Sequence, residues 1–593
     1  GQFMSYLPIT VFAVLIGSLF YALLFAPTIG ALIGRSTGSD SDSAYLQTLE
    51  TGDPENTRGI TGYYAKVLDL AVRMPIAVFV LSILMLVTIV TAYGRYGAGI
   101  EFFTGVEPGQ TQIQVFARGN FSPAEVRNVM LDVESRVRAA GHIKGIVTQS
   151  GAGQQMGGDQ QTAPDLIGSI FVEMTDRRVR DIDGFEVENL YREAIANMPG
   201  VRAEVVTVEN GPPVGKEIQI ELSGDDLDQL FAEATRIRTY MEEELGSELI
   251  DIDDTAPIPG IEWEFIVDRA RAAMLGANMT EIGTAIQLMT NGIFMGDYRP
   301  DDSEEEVDIR VRYPAKYRGI DQMENIRIST VNGPVPISSF VSRVAQPKVS
   351  SIQRVDGARV VYVRANPAPG VVADNKLQEI SAWLEANPPE NGVFYQFRGS
   401  NEEQEQSAAF LGQAFSLAMA LMAILLVTQF NSYYQALLIL SSVLLSTAGV
   451  LLGLLTTGQT FSVILTGIGI VALAGIIVNN NIVLIDTFNV LRREHPDWEL
   501  RKIIVHTGVQ RLRPVFLTTF TTGFGLLPLA MGVSVDLIGA EIEVGGPITS
   551  QWVSLASAIV FGLSFATILT LIVTPAMLAL PKRLRDLFRR KPT

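Results

Sequence analysis

Residues 436–455 read ALLILSSVLLSTAGVLLGLL and contain no charged side chain. About 20 consecutive apolar residues are enough for one helix to cross the hydrocarbon core of a membrane. Other stretches have a similar length and an uncharged centre, and the complete set of predicted spans is 6–33, 75–93, 408–428, 436–455, 461–485, 514–531 and 552–580. Soluble cores do not contain so many adjacent runs of this length, so the sequence predicts an α-helical transmembrane bundle.

The composition excludes several other classes of protein. The net charge of −19 argues against a nucleic-acid partner, because phosphate binding needs a basic surface. The chain has no cysteine, so it has neither a disulfide nor a thiolate metal site. It also has no GxxxxGK[S/T] phosphate loop and no HExxH motif, and its three histidines are scattered. We therefore predict no cofactor and no enzymatic site.

Basic residues between and after the spans predict the orientation in the membrane. The segment between the fifth and sixth spans and the C-terminal tail are rich in them: Arg492, Arg493, Arg501, Lys502, Arg511 and Arg513, then Lys582, Arg583, Arg585, Arg589, Arg590 and Lys591. Lys and Arg accumulate on the cytoplasmic side of inner-membrane proteins, so both segments are predicted to be cytoplasmic. Counting back through the spans places residues 34–74 in the cytoplasm and residues 97–405 outside the membrane.

The long outer segment alternates strand and helix patterns over about 300 residues. From Thr111 to Val208 the predicted order is β-α-β-β-α-β, which is the split βαβ or ferredoxin-like pattern. A similar order recurs from Glu217 to Arg398 and is interrupted by an insertion at about 269–345. The fold class is therefore a transmembrane bundle plus an α+β outer domain with two ferredoxin-like subdomains and one inserted subdomain.

The first and last spans end alike. Residues 27–32 read PTIGAL and residues 575–580 read PAMLAL, and each is soon followed by a basic residue, Arg35 or Lys582. The match is either a coincidence or the trace of a duplication, which transporters often contain. Under duplication, the first span is the last helix of a first repeat, and the second repeat begins at Pro75. The rest of the first repeat is then missing from this sequence.

Several motifs resemble one transporter family when they are taken in order. They are TQFNSY at 428–433, GIIVNNNIVLID at 475–486, RLRP at 511–514 and GLLPL at 525–529. These motifs resemble the second half of permeases of the resistance–nodulation–division (RND) superfamily, particularly the hydrophobe and amphiphile exporters. EFF at 101–103, EPGQ at 107–110 and GPPVGK at 211–216 resemble the start and the internal junction of the second periplasmic loop of these permeases. The resemblance covers nearly the whole chain.

The resemblance implies a secondary active transporter, not an enzyme, that exports small hydrophobic substrates in exchange for protons. It implies a multi-pass inner-membrane homotrimer surrounded by membrane lipid, which works with a periplasmic adaptor protein and an outer-membrane channel. The implied domains are a transmembrane helix (1–34), a cytoplasmic linker and surface helix (35–74), a transmembrane helix (75–97), porter subdomain 1 (98–216), porter subdomain 2 (217–268 and 346–404), a docking subdomain (269–345), and five transmembrane helices with a cytoplasmic tail (405–593).

Proton coupling in this family uses a pair of aspartates in the fourth helix of the first repeat, and no predicted span here has a carboxylate at mid-depth. Asp486 lies near the cytoplasmic end and reads as an interfacial residue. The best candidates for a proton relay are Asn479, Asn480, Thr518 and Thr519. Some exporters carry lysine where Asn479 stands, so an amide hydrogen bond would replace a charge pair. The alternative is ordinary interhelical packing, as is also expected for the GxxxG step from Gly449 to Gly453.

Residues 149–159 read QSGAGQQMGGD, and the four glycines predict a mobile loop. The resemblance implies a substrate gating loop here, formed by Gly151, Gly153, Gln154 and Met156, although it lacks the phenylalanines of related drug pumps. The alternative is an ordinary hairpin connection.

Other functions stay open. One is a non-transporting docking subunit of a mixed assembly. Another is metal export, with the thioethers of Met156, Met174, Met198 and Met274 as possible ligands. Lipid export is a third.

Overall fold

The computed structural model describes residues 2–33, 59–102, 105–117, 121–151, 165–208, 215–258, 260–301, 306–330, 333–347, 352–390, 392–536 and 541–589. The chain divides into two compact units. One consists of Gly1–Ile100 with Ser407–Thr593, and we call it the helical unit. The other is Glu101–Gln406, the α+β unit. The division follows the hydropathy of the sequence, because the apolar runs all belong to the helical unit.

Among the first hundred residues, the described ranges 2–33 and 59–100 form four helices: α1 Gln2–Phe20, α2 Ala26–Ile33, α3 Ile60–Arg73 and α4 Pro75–Tyr96. Between α1 and α2, Tyr21–Phe25 form a single π-helical turn. Helix α3 is amphipathic, since Tyr64, Leu68 and Val72 are spaced four residues apart and are all buried. Pro75 begins α4, where its missing N–H costs no helical hydrogen bond.

Strand β1 Ile100–Glu101 contains the sequence boundary between the two units, and the α+β unit continues with β2 Gln110–Ala117, α5 Pro123–Ala140, β3 Ile143–Ser150, β4 Leu166–Met174, α6 Gly184–Ile195 and β5 Val201–Thr207. Strands β2 to β5 form one antiparallel sheet in the order β3-β4-β2-β5. Ser122 and Glu125 form a capping box that starts α5. Val133 of α5 and Tyr191 of α6 are fully buried in a shared core with Ile113 and Ile170 of the sheet.

The second sheet repeats this arrangement with β6 Ile218–Gly224, α7 Leu227–Glu244 and β7 Leu249–Asp254, and with β14 Gln353–Val355, β15 Ala358–Pro367, α11 Ala373–Ala386 and β16 Val393–Gly399. Its order is β14-β15-β6-β16, and β7 also pairs with β15. Strand β7 was not predicted from the sequence, because its LIDIDD sequence is rich in aspartate, which is rare in strands.

The insertion between these halves consists of β8 Ile261–Val267, α8 Arg269–Met274, α9 Met279–Met289, β9 Ile293–Tyr298, β10 Val307–Val311, α10 Ile320–Met323, β11 Arg327–Thr330, β12 Gly333–Pro336 and β13 Val341–Pro347. Strands β8 and β13 pair in antiparallel fashion along their whole length. The chain therefore enters and leaves the insertion through this two-stranded ribbon, and the structural boundary lies outside the predicted 269–345. The insertion has its own small core around Ile282 and Phe340.

Helix α12 Ser400–Phe430 begins in the α+β unit and enters the helical unit at Ser407. The helical unit continues with α13 Tyr433–Thr457, β17 Phe461–Ser462, α14 Val463–Glu494, α15 Leu500–Ala530, β18 Val533–Asp536, β19 Glu541–Val544, α16 Pro547–Ile568, α17 Thr574–Leu578 and α18 Leu580–Arg589. The predicted GxxxG contact is confirmed. A Cβ atom at Gly453 would lie 2.2 Å from the Phe561 ring, and one at Gly449 would lie 2.3 Å from Phe565 Cβ. The bare backbone of α13 therefore packs directly on α16.

Six described helices are long and apolar enough to cross a membrane: Phe12–Ile33, Pro75–Tyr96, Glu402–Phe430, Tyr433–Thr457, Val463–Glu494 and Thr549–Asp586. The predicted span 514–531 is not among these six. It forms the second half of α15, whose first half carries the basic residues predicted to be cytoplasmic. Four threonines and two prolines make this half less apolar than the other spans.

Two apolar helices contain a π-helical turn at the same distance from a proline. The first π turn, Tyr21–Phe25, is followed by Pro27, and the second π turn, Leu569–Val573, is followed by Pro575. One intervening residue separates the turn from the proline in both cases. Because π turns are rare within helices, the shared position supports duplication over coincidence as the reason why the two segments look alike.

Candidate functional site

The three consecutive asparagines of α14 lie in three different environments. Asn479 is exposed on the surface of the helical unit, Asn480 is 9% exposed and Asn481 is fully buried. Neighbouring helix residues point about 100° apart, which is why one face of α14 cannot hold all three. The expectation that at least one amide faces the bundle interior is confirmed. The amide that does so most completely is Asn481, which was not among the predicted relay residues.

Asn481 is the centre of a buried polar cluster. The two hydrogens of its Nδ2 are shared among three acceptors: Ser442 Oγ of α13 at 2.9 Å, the carbonyl oxygen of Ile477 at 3.0 Å and Thr570 Oγ1 at 3.3 Å. Thr574 Oγ1 donates to Asn481 Oδ1 at 2.9 Å. The four polar side chains are all buried. A buried polar network whose members are satisfied in this way holds its helices in one arrangement.

Asn479, unlike the buried Asn481, lies on an exposed surface of α14. Gly475, Asn479, Val483 and Asp486 follow one another at helical spacing and are all exposed in the helical unit; we call them the Asn479 stripe. Among the described residues, neither Asn479 nor Asn480 forms a hydrogen bond with another side chain. An amide without a partner in an apolar environment costs about 1–3 kcal/mol, so the Asn479 stripe favours a polar partner that the described residues do not supply.

The two predicted threonines of α15 behave differently from each other. Thr519 Oγ1 lies 2.6 Å from Thr567 Oγ1 of α16 and 3.0 Å from the carbonyl oxygen of Val515. Thr518 is exposed, and its hydroxyl donates to the same carbonyl at 2.9 Å. Thr519 therefore connects two helices, whereas the hydroxyl of Thr518 bonds only to the backbone of its own helix. The contacts of the described residues bring neither threonine together with Asn479 or Asn480.

The predicted cytoplasmic end of the bundle is held by polar contacts between helices. Gln435 of α13 and Asn489 of α14 exchange amide hydrogen bonds of 2.8 and 3.1 Å. Asp69 of α3 pairs with Arg501 of α15 and, at 2.8 Å, with Arg73. Burial alone would raise the pKa of Asp69, but the hydrogen bonds and charges of the two arginines outweigh it and hold this pKa below its ordinary value. These contacts fix α3 against α15.

The predicted gating loop falls largely outside the described residues, which include Gly151 but not Gly153, Gln154 or Met156. Gly151 follows β3 with a φ of 146°, and its N–H donates to the carbonyl of Ile167 at 2.9 Å. Few residues other than glycine adopt this φ, so Gly151 allows the chain to turn away from the sheet. The role of the loop in gating stays a prediction.

The described methionines do not form one cluster. Met174 and Met198 lie in the core under the first sheet, whereas Met274 is 75% exposed at the end of α8 in the insertion. Met156 lies outside the described residues. In the described part of the chain, no group of three or more His, Asp or Glu side chains could hold a metal ion.

A buried network of charges joins the two sheets of the α+β unit. Lys216 Nζ lies 2.9 Å from Glu204 Oε2 of β5 and 3.1 Å from Asp253 Oδ1 of β7. Arg364 of β15 binds Asp253 through two hydrogen bonds of 3.0 and 2.5 Å. Burial raises the pKa of Glu204, while Arg364 and Lys216 overcome burial at Asp253 and hold its pKa low. The sequence hinted at this network only through the aspartates of β7.

Glu188 of α6 provides a test of these electrostatics. Its side chain is 1% exposed, it accepts a 2.8 Å hydrogen bond from Thr207 Oγ1, and burial raises its pKa. A raised carboxyl pKa gives stability that is complete below the unfolded pKa of about 4.3 and is lost as the pH rises through the folded pKa. We therefore expect the melting temperature of the parent protein to rise relative to that of Glu188→Gln as the pH falls from 7.5 to 4.5. Glu193 is exposed, so Glu193→Gln is the control. The raised pKa of Glu188 would be contradicted if the parent gained as much stability relative to Glu193→Gln, or if the difference from Glu188→Gln did not change with pH.

Comparison with known proteins places the chain in a family. A family model described as the AcrB/AcrD/AcrF family matches residues 1–581. The chain is 25% identical over 378 residues to the cobalt-zinc-cadmium resistance protein CzcA of Cupriavidus metallidurans, an alignment that covers 62% of this chain and 34% of CzcA. It is 24% identical over 540 residues to the swarming motility protein SwrC of Bacillus subtilis, covering 90% and 48%. It is 26% identical over 434 residues to the multidrug resistance protein MdtC of Pectobacterium atrosepticum, covering 72% and 40%.

A solved structure has a similar fold. The crystal structure of a heavy metal efflux pump aligns with a TM-score of 0.76 at 22% identity, covering 96% of this chain and 54% of that one. The chain thus spans about half the length of this structure and a third to a half of the relatives named above. Because the family model covers nearly all of the sequence, the chain belongs to the AcrB/AcrD/AcrF family of RND permeases.

Proposed function

We propose that this chain is the second half of a proton-driven RND exporter that carries hydrophobic or amphiphilic compounds out of the cell envelope. The observation that carries the proposal is the Asn479 stripe. It presents a polar amide on the side of α14 that its own bundle leaves open. A helix bearing a buried carboxylate is the partner that such an amide would favour, because ionisable groups within a membrane are costly without a hydrogen-bond partner and are usually functional.

The proposed division of labour follows the two units. In the helical unit, Asn479 or Asn480 hydrogen bonds to a proton-carrying acid of the first repeat, and Thr518 and Thr519 supply further hydroxyls. In the α+β unit, the two βαββαβ sheets are ferredoxin-like porter subdomains, and Gly151, Gly153, Gln154 and Met156 gate the substrate cleft between them. Their equivalent strand orders, β3-β4-β2-β5 and β7-β15-β6-β16, support this assignment.

The proposed assembly is the one that the family implies. The chain functions in the inner membrane as part of a homotrimer, and the insertion between β8 and β13 docks onto an outer-membrane channel with the help of a periplasmic adaptor protein. The separate core of the insertion supports a distinct docking subdomain.

Metal export is the second candidate. The names of CzcA and of the aligned heavy metal efflux pump favour it, whereas the name of MdtC favours drugs. In the described residues, the separation of Met274 from Met174 and Met198 counts against a thioether site built from all of them. A docking subunit without transport activity and a lipid exporter are the remaining alternatives.

The test is transport by two forms of the protein in cells that lack their own exporters. One form is the 593-residue chain alone, and the other joins it to a first repeat from the same genome. We expect only the joined protein to expel an amphiphilic dye, and an uncoupler that collapses the proton gradient should stop it. Resistance to Co²⁺, Zn²⁺ or Cd²⁺ without dye export would favour metal export instead. Absence of all transport by the joined protein would favour the docking subunit.

The proposed orientation has its own test, because the chain contains no native cysteine. Ser329 of β11 and Asp497 between α14 and α15 are both exposed. In cells with a permeabilised outer membrane, Ser329→Cys is expected to react with an impermeant thiol reagent, and Asp497→Cys is expected to react only after cell lysis. The reverse labelling pattern would overturn the orientation.

A further inference from the structure

The second π turn is held from the side of α3. Pro575 has no N–H and cannot donate the bond that an α-helix would supply to the carbonyl of Leu571, four residues earlier. Tyr64 of α3 donates its hydroxyl to this oxygen at 2.7 Å, although 507 residues separate the two in sequence. Pro581 leaves the carbonyl of Met577 in the same condition, and Tyr434 donates to it at 2.6 Å. Two tyrosines thus satisfy two carbonyls that prolines deprive of a donor.

The same π turn is held from a second side by α14. Asn481 donates to Thr570 within the turn and accepts from Thr574 directly after it. Thr570, Leu571 and Thr574 therefore connect one short segment to both α3 and α14. Single π turns inside α-helices are frequently found at functional sites.

The approach of α3 is fixed by shape and by charge. A Cβ atom at Gly508 of α15 would lie 2.3 Å from Leu68 Cδ2 and 2.8 Å from the Tyr64 hydroxyl, so any larger residue would require these two side chains to shift. Asp69 adds its ion pair with Arg501. Helix α3, the second π turn and α14 consequently form one connected block inside the helical unit.

Nothing among the described side chains orients Asn479 directly, because it makes no hydrogen bond with any of them. Its direction depends on the rotation of α14, and a change of one residue in register would turn the helix by about 100°. We propose that Asn481 is a positioning residue, which locks the rotation of α14 against the π turn held by Tyr64 and so directs Asn479 toward the proton-carrying acid. This inference rests on the proposed function.

The first test measures whether Asn481 and Tyr64 act through the same turn. Asn481→Leu and Tyr64→Phe are made singly and together in the 593-residue chain, and the unfolding equilibrium is measured in detergent. We expect a coupling of at least about threefold in the equilibrium constant, since both contacts brace one segment. Gln435→Leu is the matched control, because Gln435 also connects α13 to α14 but bonds Asn489. Its effect should add to that of Tyr64→Phe. Additivity of Asn481→Leu with Tyr64→Phe would overturn the shared lock.

The second test measures coupling in the joined pump. Asn481→Leu is expected to lower export about tenfold at normal assembly and to change its dependence on pH, because Asn479 no longer faces the acid at a fixed angle. Asn481→Thr, which keeps a donor and an acceptor, should restore much of the rate and the parent pH profile. If Asn481 had a purely structural role, Asn481→Leu would lower assembly and export together and leave the pH profile unchanged. That result would refute the positioning role of Asn481 but not the proposed function. A parent pump that shows no proton dependence would refute the proposed function and this inference with it.

Discussion

Replacing Asn479 by leucine is expected to abolish proton-driven export by the joined pump while substrate binding to the α+β unit persists. Leucine has a similar size but cannot hydrogen bond, and Asn479 is the exposed amide of α14. Binding should persist because the proposed cleft is formed by the α+β unit and the amide belongs to the helical unit. Dye export and dye binding are measured on the same purified protein, with trimer assembly checked by size.

The neighbouring variants decide how this result is understood. Asn480→Leu is tested separately, since Asn480 is nearly buried and is the other predicted relay residue. Val483→Ile, a conservative apolar change on the Asn479 stripe, is the control for disturbance of that surface. If Asn479→Leu and Asn480→Leu both assemble and export at the parental rate, the relay assignment is wrong and the amides only pack against other helices.

Replacing Asp253 by alanine is expected to lower the free energy of unfolding of the α+β unit by about 3–5 kcal/mol. Asp253 is fully buried, and its removal leaves Arg364 and Lys216 as buried cations with too few acceptors. Hydrogen exchange of the β6 and β15 amides in the full chain measures this loss locally. The pH is kept at 7, where the low pKa of Asp253 keeps it ionised and its contribution complete.

A surface pair provides the control for the buried one. Asp308 and Arg310 of β10 form an ion pair of 2.9 Å, and their side chains are 51% and 49% exposed. Asp308→Ala should cost less than about 1 kcal/mol, since solvent screens exposed pairs. Equal effects of the two alanine variants would mean that burial does not decide the strength of the Asp253 contacts.

Local patterns in the sequence were enough to predict the helices and strands whose apolar residues recur at a regular spacing. The apolar runs coincide with the long helices of the helical unit, and the alternation after Thr111 yielded the strands and helices of the first sheet. Strand β7 was missed because its aspartates are satisfied by residues outside the strand, as Asp253 is by Lys216 and by Arg364, which is distant in the chain. A buried charge in a strand is tolerated only where residues of opposite charge lie close to it in the fold. The sequence of the strand itself does not show whether such residues are present.

The sequence predicted that polar residues of α14 form the site but not which of these residues is buried. Sequence reasoning located the asparagines of α14, but three identical neighbours cannot show which one faces inward, and packing against Ser442 and Thr570 assigns that place to Asn481. Likewise, Thr519 could be told from Thr518 only through its contact with Thr567. The bond from Tyr64 to Leu571 had one local signal, the proline at 575, because a proline inside a helix leaves the carbonyl four residues earlier without its usual donor.

The first π turn extends this logic to the symmetry of the proposed pump. Leu23 stands four residues before Pro27, as Leu571 stands four before Pro575, and Leu23 is 66% exposed in the helical unit. Parallel repeats in transporters are related by a rotation axis along the membrane normal. Under that symmetry, a hydroxyl-bearing side chain from the first repeat would meet the Leu23 carbonyl as Tyr64 meets that of Leu571. The final helix of each repeat would then be anchored to a surface helix, and the two anchors would lie on opposite sides of a pseudo-twofold axis.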